Sequence, residues 1–187
     1  LKALIRLCTV ALSFLALPAN ASATGVTYDC DTAADHFSEL VLPAESGSFT
    51  VSGNVQLNAL AGSATYTAIA RIQIASSAAP GHSPNAFAGF SLSALPADPK
   101  KTPTGSPAIQ MLSWNLSGKD NEVLPLSMLT KPGTVQHFSV SYDGTNVSVD
   151  LGKESKSFPI ALSEPVVRIV CSTGEFLFTD VVIAAKR

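Results

Sequence analysis

Between Phe49 and Ala59 the chain alternates with a period of two. Phe49, Val51, Val55, Leu57 and Ala59 are apolar, and the intervening Thr50, Ser52, Asn54, Gln56 and Asn58 are all polar. Successive side chains of an extended strand point to opposite faces, so this pattern buries one face and leaves the other in water. A helix would mix the two sets around its circumference. Gly53 interrupts the apolar row and marks a bulge or bend. The pattern returns after Ala61-Gly62-Ser63, where Tyr66, Ala68, Ala70, Ile72 and Ile74 face one way and Thr67, Arg71 and Gln73 mostly the other. The two runs are expected to pair as antiparallel strands around a Leu60–Ala64 turn.

The rest of the chain extends this theme, and no segment carries a convincing helical period. Phe90-Ser91-Leu92-Ser93 reads as a short strand within a Pro-, Gly- and Ser-rich stretch from Ala75 to Pro107. Four prolines make Leu95–Pro107 a loop, because proline cannot donate to a central ladder. Ile109–Leu116 is apolar on both faces, which implies deep burial or a ligand surface, and Gly118–Glu122 reads as a polar turn. Asp143-Gly144 is a favoured two-residue hairpin turn. It would set Val140 opposite Val147 and Phe138 opposite Val149, with Ser139 facing Ser148 on the other side. Strands are expected at Ser157–Leu162, Val166–Cys171 and Glu175–Ile183. Short strands broken at this spacing predict an all-β sandwich or barrel.

The N-terminus bears on the compartment. Lys2 and Arg6 precede an apolar run, Leu7–Leu17, that is followed by Pro18 and the overlapping small-residue sites Ala19-Asn20-Ala21 and Ala21-Ser22-Ala23. This is the layout of a secretory signal peptide, bacterial in style. The run of about 11 residues falls short of the roughly 20 that a bilayer span needs. Cys8 lies near the start of that run, where no lipoprotein cysteine stands. Cleavage is expected after Ala23, or alternatively after Ala21. Residues 24–187 then form one β-sandwich domain of 164 residues (187 less 23). Export places the chain in the periplasm or outside the cell, with no stable membrane insertion after cleavage. The two glycosylation-like triplets, Asn115-Leu116-Ser117 and Asn146-Val147-Ser148, are then chance matches.

Only Cys30 and Cys171 remain after cleavage, and two cysteines in an oxidising compartment usually pair. The other reading is two free buried thiols. The remaining chain carries 10 basic and 14 acidic residues, so no basic patch of the kind that holds nucleic acid survives.

The C-terminal third resembles the concanavalin A-like lectin/glucanase superfamily, especially its laminin-G-like members. The residues that carry the likeness are His137-Phe138-Ser139-Val140-Ser141-Tyr142-Asp143-Gly144-Thr145-Asn146-Val147-Ser148-Val149, then Val166-Val167-Arg168-Ile169-Val170, Gly174-Glu175-Phe176 and Thr179-Asp180-Val181-Val182-Ile183. In the superfamily's pattern a glycine usually follows the returning strand's first apolar run, and here Val170-Cys171 stands there. The resemblance implies a two-sheet antiparallel jelly roll with its chain ends close together, which suits a Cys30–Cys171 bridge between first and late strands.

Catalytic patterns do not emerge. The superfamily's glycanases carry Glu-x-Asp-x-x-Glu on one strand, placing two carboxylates on one face of a cleft. No glutamate here has an aspartate two positions later. Gly81-His82-Ser83-Pro84-Asn85 approaches a nucleophile elbow but lacks its last glycine and reads as a turn. His36, His82 and His137 are far apart, without metal-ligand spacing, and His137 reads as a surface or rim residue. Asp29, Asp31 and Asp35 lack the glycine and terminal glutamate of a calcium loop. No cofactor is expected.

Four residues are candidates for ligand contact. Trp114 is either a core aromatic or a sugar-stacking platform beside Gln110, and Asn54 and Gln56 belong to a polar row that either meets solvent or hydrogen-bonds a glycan. The expected role is a binding module for carbohydrate or a cell-surface polymer rather than an enzyme. A structural or assembly protein of the cell envelope is the alternative, and an enzyme built from scattered residues the third reading.

Overall fold

The computed structural model describes residues 25–44, 47–63, 65–79, 81–96, 108–119, 122–124 and 133–185. The segment expected to be a signal peptide (1–23) and most of the proline-rich loop (97–107) lie outside this set, as do Ala64 of the first expected turn and Asp120 and Asn121 of the second. The described residues form twelve strands and no helix: β1 (Val26–Asp31), β2 (Phe37–Pro43), β3 (Phe49–Leu60), β4 (Ala68–Ser76), β5 (Phe87–Pro96), β6 (Ala108–Leu116), β7 (Glu122–Val123), β8 (Gln136–Tyr142), β9 (Asn146–Leu151), β10 (Glu154–Pro159), β11 (Pro165–Ser172) and β12 (Gly174–Ala185).

They build two six-stranded antiparallel sheets, ordered β1-β12-β3-β8-β9-β10 and β2-β11-β4-β5-β6-β7. The inner faces carry the apolar rows that the alternation predicts. Phe49, Val51, Val55, Leu57, Phe176 and Phe178 of the first sheet meet Ile72, Ile74, Phe90, Leu92 and Ile169 of the second, all fully buried. Phe90 and Phe138 touch across the sandwich with centroids 5.6 Å apart. Each such side chain contributes roughly 1.5–3 kcal/mol by leaving water.

The long edges of the sandwich are tied together. On one side the Cys30–Cys171 disulfide links β1 to β11, with Cα atoms 6.4 Å apart, and the Tyr28 hydroxyl lies 2.7 Å from Ser38 Oγ of β2. On the other, Lys156 of β10 pairs with Glu122 of β7, and its ammonium sits 5.8 Å from the centroid of the Phe158 ring. Thr173 alone carries the chain from β11 in one sheet to β12 in the other. Its φ of 60° is costly for a β-branched residue. Its N–H donates to the His36 carbonyl and its carbonyl accepts from Ala61 N–H, both at 3.2 Å.

Several sequence expectations are corrected. β3 and β4 do not pair: β3 lies between β12 and β8, whereas β4 lies between β11 and β5 in the opposite sheet. Alternation cannot separate these arrangements, because a hairpin partner and a strand stacked across the core both send every second residue inward. The bulge expected at Gly53 falls on the opposing strand, where β12 slips register between Thr179 and Val182 and Asp180 adopts φ 53°. A Cβ at Gly53 would lie 3.1 Å from the Thr179 carbonyl, so the missing side chain admits that bulge.

The β8–β9 hairpin pairs Val140 with Val149, Phe138 with Leu151, and Tyr142 with Val147, two residues wider than the two-residue turn requires. The Asp143 carboxylate accepts the N–H groups of Thr145 (2.8 Å) and Asn146 (2.7 Å), which stabilises a four-residue loop. An even slip keeps every side chain on its expected face. β5 is longer than the expected Phe90–Ser93, and β10 begins and ends three residues before Ser157–Leu162.

Candidate functional site

The outer face of the second sheet carries an uncommon set of residues. Register places Arg168, Gln73, Gly89 and Asn115 in one row across β11, β4, β5 and β6. The next row runs Glu39, Val170, Arg71, Ser91 and Ser113. These side chains point away from the core, yet Gln73, Ser91, Ser113 and Asn115 are buried. Buried polar groups need partners, and here they find one another. Gln73 Nε2 donates to Asn115 Oδ1, reaching over β5 at Gly89, where no side chain intervenes. The Ser91 and Ser113 hydroxyls lie 2.6 Å apart.

Toward β2 this polar platform opens into a groove. A cavity of about 460 Å³ is lined by Phe37, Glu39, Tyr66, Arg71, His82 and Arg168, among others. A second, of about 370 Å³, shares Glu39, Gly81, His82 and Arg168 with it. The strands supply the floor, and the loop between β4 and β5 supplies the wall. That loop is held by the His82 N–H, which donates to the Ala79 carbonyl at 3.0 Å. Phe37 and Tyr66 are 69% and 61% exposed, placing apolar surface at the rim.

The electrostatics of the floor are uneven. Arg168 Nε donates to Glu39 Oε1, and its Nη1 reaches Gln73 Oε1 at 3.5 Å. Arg71 lies diagonally across from Arg168 on the neighbouring strand. Its Nε is buried and has no hydrogen-bond partner among the described residues. Burial, and then the Arg168 charge, hold the Arg71 guanidinium below its ordinary pKa. Glu39 is the one carboxylate among the described residues that line these two cavities, so two guanidinium charges face a single negative charge.

The four residues singled out from sequence are not brought together. Trp114 and Gln110 point from β6 into the sandwich. Trp114 is 5% exposed and packs edge-on against Phe158 at 6.3 Å, so it sits in the core rather than as an open platform. Together with Lys119, Glu122, Lys156 and Phe158 it lines a cavity of about 410 Å³ at the sandwich edge. Gln110 is fully buried, and neither atom of its amide has a partner among the described residues.

Asn54 and Gln56 lie on the outer face of the other sheet, where the polar row is tied to its neighbours. Asn54 donates to Thr179 Oγ1 (3.3 Å) and Asp180 Oδ2 (3.1 Å) and accepts from His137 Nδ1. Gln56 donates to Asn58 Oδ1 at 2.6 Å, and Asn58 donates to Glu175 at 2.9 Å. The groove residues Arg71, Arg168 and Glu39 were not among the sequence candidates. Their signal was a lone charge between apolar neighbours within a strand, as in Ile69-Ala70-Arg71-Ile72 and Val166-Val167-Arg168-Ile169.

No family model matches the chain, and no curated protein matches it in sequence. Among solved structures it is similar to an alginate lyase from Alteromonas sp. 272, at 9% identity and a TM-score of 0.51 over 75% of this chain and 72% of that one. It is also similar to a carbohydrate-binding module from Bacillus subtilis (11% identity, TM-score 0.49, 88% of this chain and 98% of that one). A galectin from Caenorhabditis elegans aligns at 8% identity with a TM-score of 0.45, over 84% and 95% of the two chains. At such identities the alginate lyase likeness is one of fold, and it agrees with the all-β, two-sheet antiparallel jelly-roll sandwich that the hydrogen-bond ladders define.

Proposed function

We propose that the protein is an exported carbohydrate-binding β-sandwich of the concanavalin A-like kind, and that it holds a glycan or cell-surface polymer in the groove on the outer face of the second sheet. The observation that carries this reading is the groove itself. A saccharide offers apolar C–H faces and directional hydroxyls, and it is matched by exposed aromatic rings beside fixed donors and acceptors. Tyr66 and Phe37 supply the rings, and Arg71, Arg168 and Glu39 supply the polar groups. Their strands are anchored in a fully buried core, so the floor is organised before a ligand arrives. Export is supported by the N-terminal segment and by the Cys30–Cys171 bridge, which suits an oxidising compartment. No helix among the described residues is long and apolar enough to cross a membrane.

We read the protein as a binder, since among the described residues that line the groove Glu39 has no second carboxylate for two-carboxylate glycoside hydrolysis. Calorimetric titration against a panel of oligosaccharides tests the proposal. Binding to at least one class, weakened about tenfold or more by Tyr66→Ala, is the expected result. A folded protein that binds no member of a broad panel, or one indifferent to Tyr66→Ala, would count against the groove.

One observation favours the envelope-assembly reading. Among the described residues β2 is a free sheet edge with exposed Phe37 and Val41, and such edges can template strand addition. Size-exclusion chromatography separates the two: a monomer at micromolar concentration favours the binding module, and stable oligomers favour assembly.

A further inference from the structure

We infer that the saccharide taken by this groove is anionic, and that Arg71 is the residue that reads its charge. The inference rests on the proposed glycan site and adds the chemical class of the ligand.

Arg71 and Arg168 differ in one respect that matters. Arg168 already has its partners in place, its Nε on Glu39 and its Nη1 near Gln73. Arg71 is half-buried, its buried Nε has no hydrogen-bond partner among the described residues, and Arg168 is its charged neighbour. A guanidinium in that position loses hydration at its Nε without a hydrogen bond in return and is repelled by the second cation. The cost is met in the free protein, and an anion in the groove would remove it. Such a ligand would accept from the planar N–H fork of Arg71 and screen it from Arg168 at the same time.

The setting makes this a local property. The chain as a whole carries a net charge of −2, so general electrostatic attraction does not draw polyanions to it. A carboxylate and a sulfate ester share the required chemistry, a negative group with two or more acceptor oxygens on a sugar ring. Tyr66 and Phe37 at the rim take the ring's apolar face, and the platform beneath is braced by the Gln73–Asn115 bond.

Calorimetry on the purified protein with three oligosaccharides of equal length tests this: a hexuronate oligomer, the same oligomer with its carboxylates reduced to hydroxymethyl groups, and a sulfated neutral oligomer. At least one charged oligomer is expected to bind ten or more times tighter than the neutral one, and which of the two does so identifies the anion. Affinity for it should fall with added salt. Arg71→Gln should weaken that binding about 10- to 100-fold, and Arg71→Lys should restore part of the loss. Because the substitution removes a cation whose buried Nε has no partner among the described residues, Arg71→Gln should melt no lower than the parent protein. This separates a role in recognition from one in folding.

Equal affinity for the charged and neutral oligomers, unchanged in Arg71→Gln, would overturn the inference and leave the glycan site standing. Binding to none of the three, with none in the wider panel, would remove the site and the inference together. A sharp fall in melting temperature for both Arg71 variants would also overturn it, because Arg71 would then be serving the fold.

Discussion

Gln110 and Gly89 show how single positions constrain this molecule in opposite ways. Gln110 is fully buried on the inner face, and neither atom of its amide has a partner among the described residues. A desolvated, unpaired amide costs about 1–3 kcal/mol. Gln110→Leu should therefore raise stability by about 1–2 kcal/mol in urea unfolding, and an unchanged or lower midpoint would show that the amide is satisfied after all. At Gly89 an added Cβ would stand 2.0 Å from the Ile72 carbonyl oxygen and 2.8 Å from Gln73 Cα. Both are backbone atoms of the adjacent strand and cannot move aside cheaply. Gly89→Ala is expected to cost about 3 kcal/mol or more and to loosen the polar platform, read as a lower melting temperature and faster amide exchange at Gln73. Sequence shows that a glycine and a glutamine stand within strands, and only the register shows what each one faces.

The β8–β9 hairpin is the element whose pH response follows most directly from its geometry. The Asp143 carboxylate accepts from the backbone of Thr145 and Asn146, and these bonds hold it well below the usual carboxylate range. A depressed folded pKa adds stability above the unfolded value of about 3.9. That stability is lost as pH falls below it. Asp143→Ala should thus be less stable than the parent at pH 7, and the gap should narrow as pH is lowered from about 4. A gap that persists undiminished at pH 2 would assign the effect to loop shape instead of charge.

Strand existence was readable from alternation in β3, β4, β8, β9, β11 and β12, because period two reports burial directly. Strand partners were less readable: the β3–β4 hairpin expectation failed because stacked and paired strands share one pattern. The groove was hidden for a related reason. Arg71 and Arg168 are separated by 97 positions (168 less 71) and meet only once β4 and β11 are neighbours. Trp114 drew notice by its residue type, but residue type does not say which face of a sheet a side chain takes.

At the scale of the whole molecule, two sheets are held face to face by an apolar interior and tied along both edges, by Cys30–Cys171 on one and by Lys156–Glu122 on the other. The disulfide closes most of the chain into one loop, and its loss should cost about 2–5 kcal/mol. This is measurable as a shift in urea midpoint between oxidised and reduced protein, and identical midpoints would show that the bridge adds nothing to stability. The same frame leaves two outer faces available for ligand. On the first sheet Asn54 and Gln56 are engaged with their neighbours, whereas on the second the buried Arg71 Nε has no partner among the described residues. Amide chemical-shift mapping with a hexuronate or sulfated oligosaccharide decides between them. The largest shifts are expected to gather at Arg71, Gly81, His82 and Arg168; shifts gathered instead at Asn54, Gln56 and Asn58 would put the ligand on the first sheet and overturn the groove.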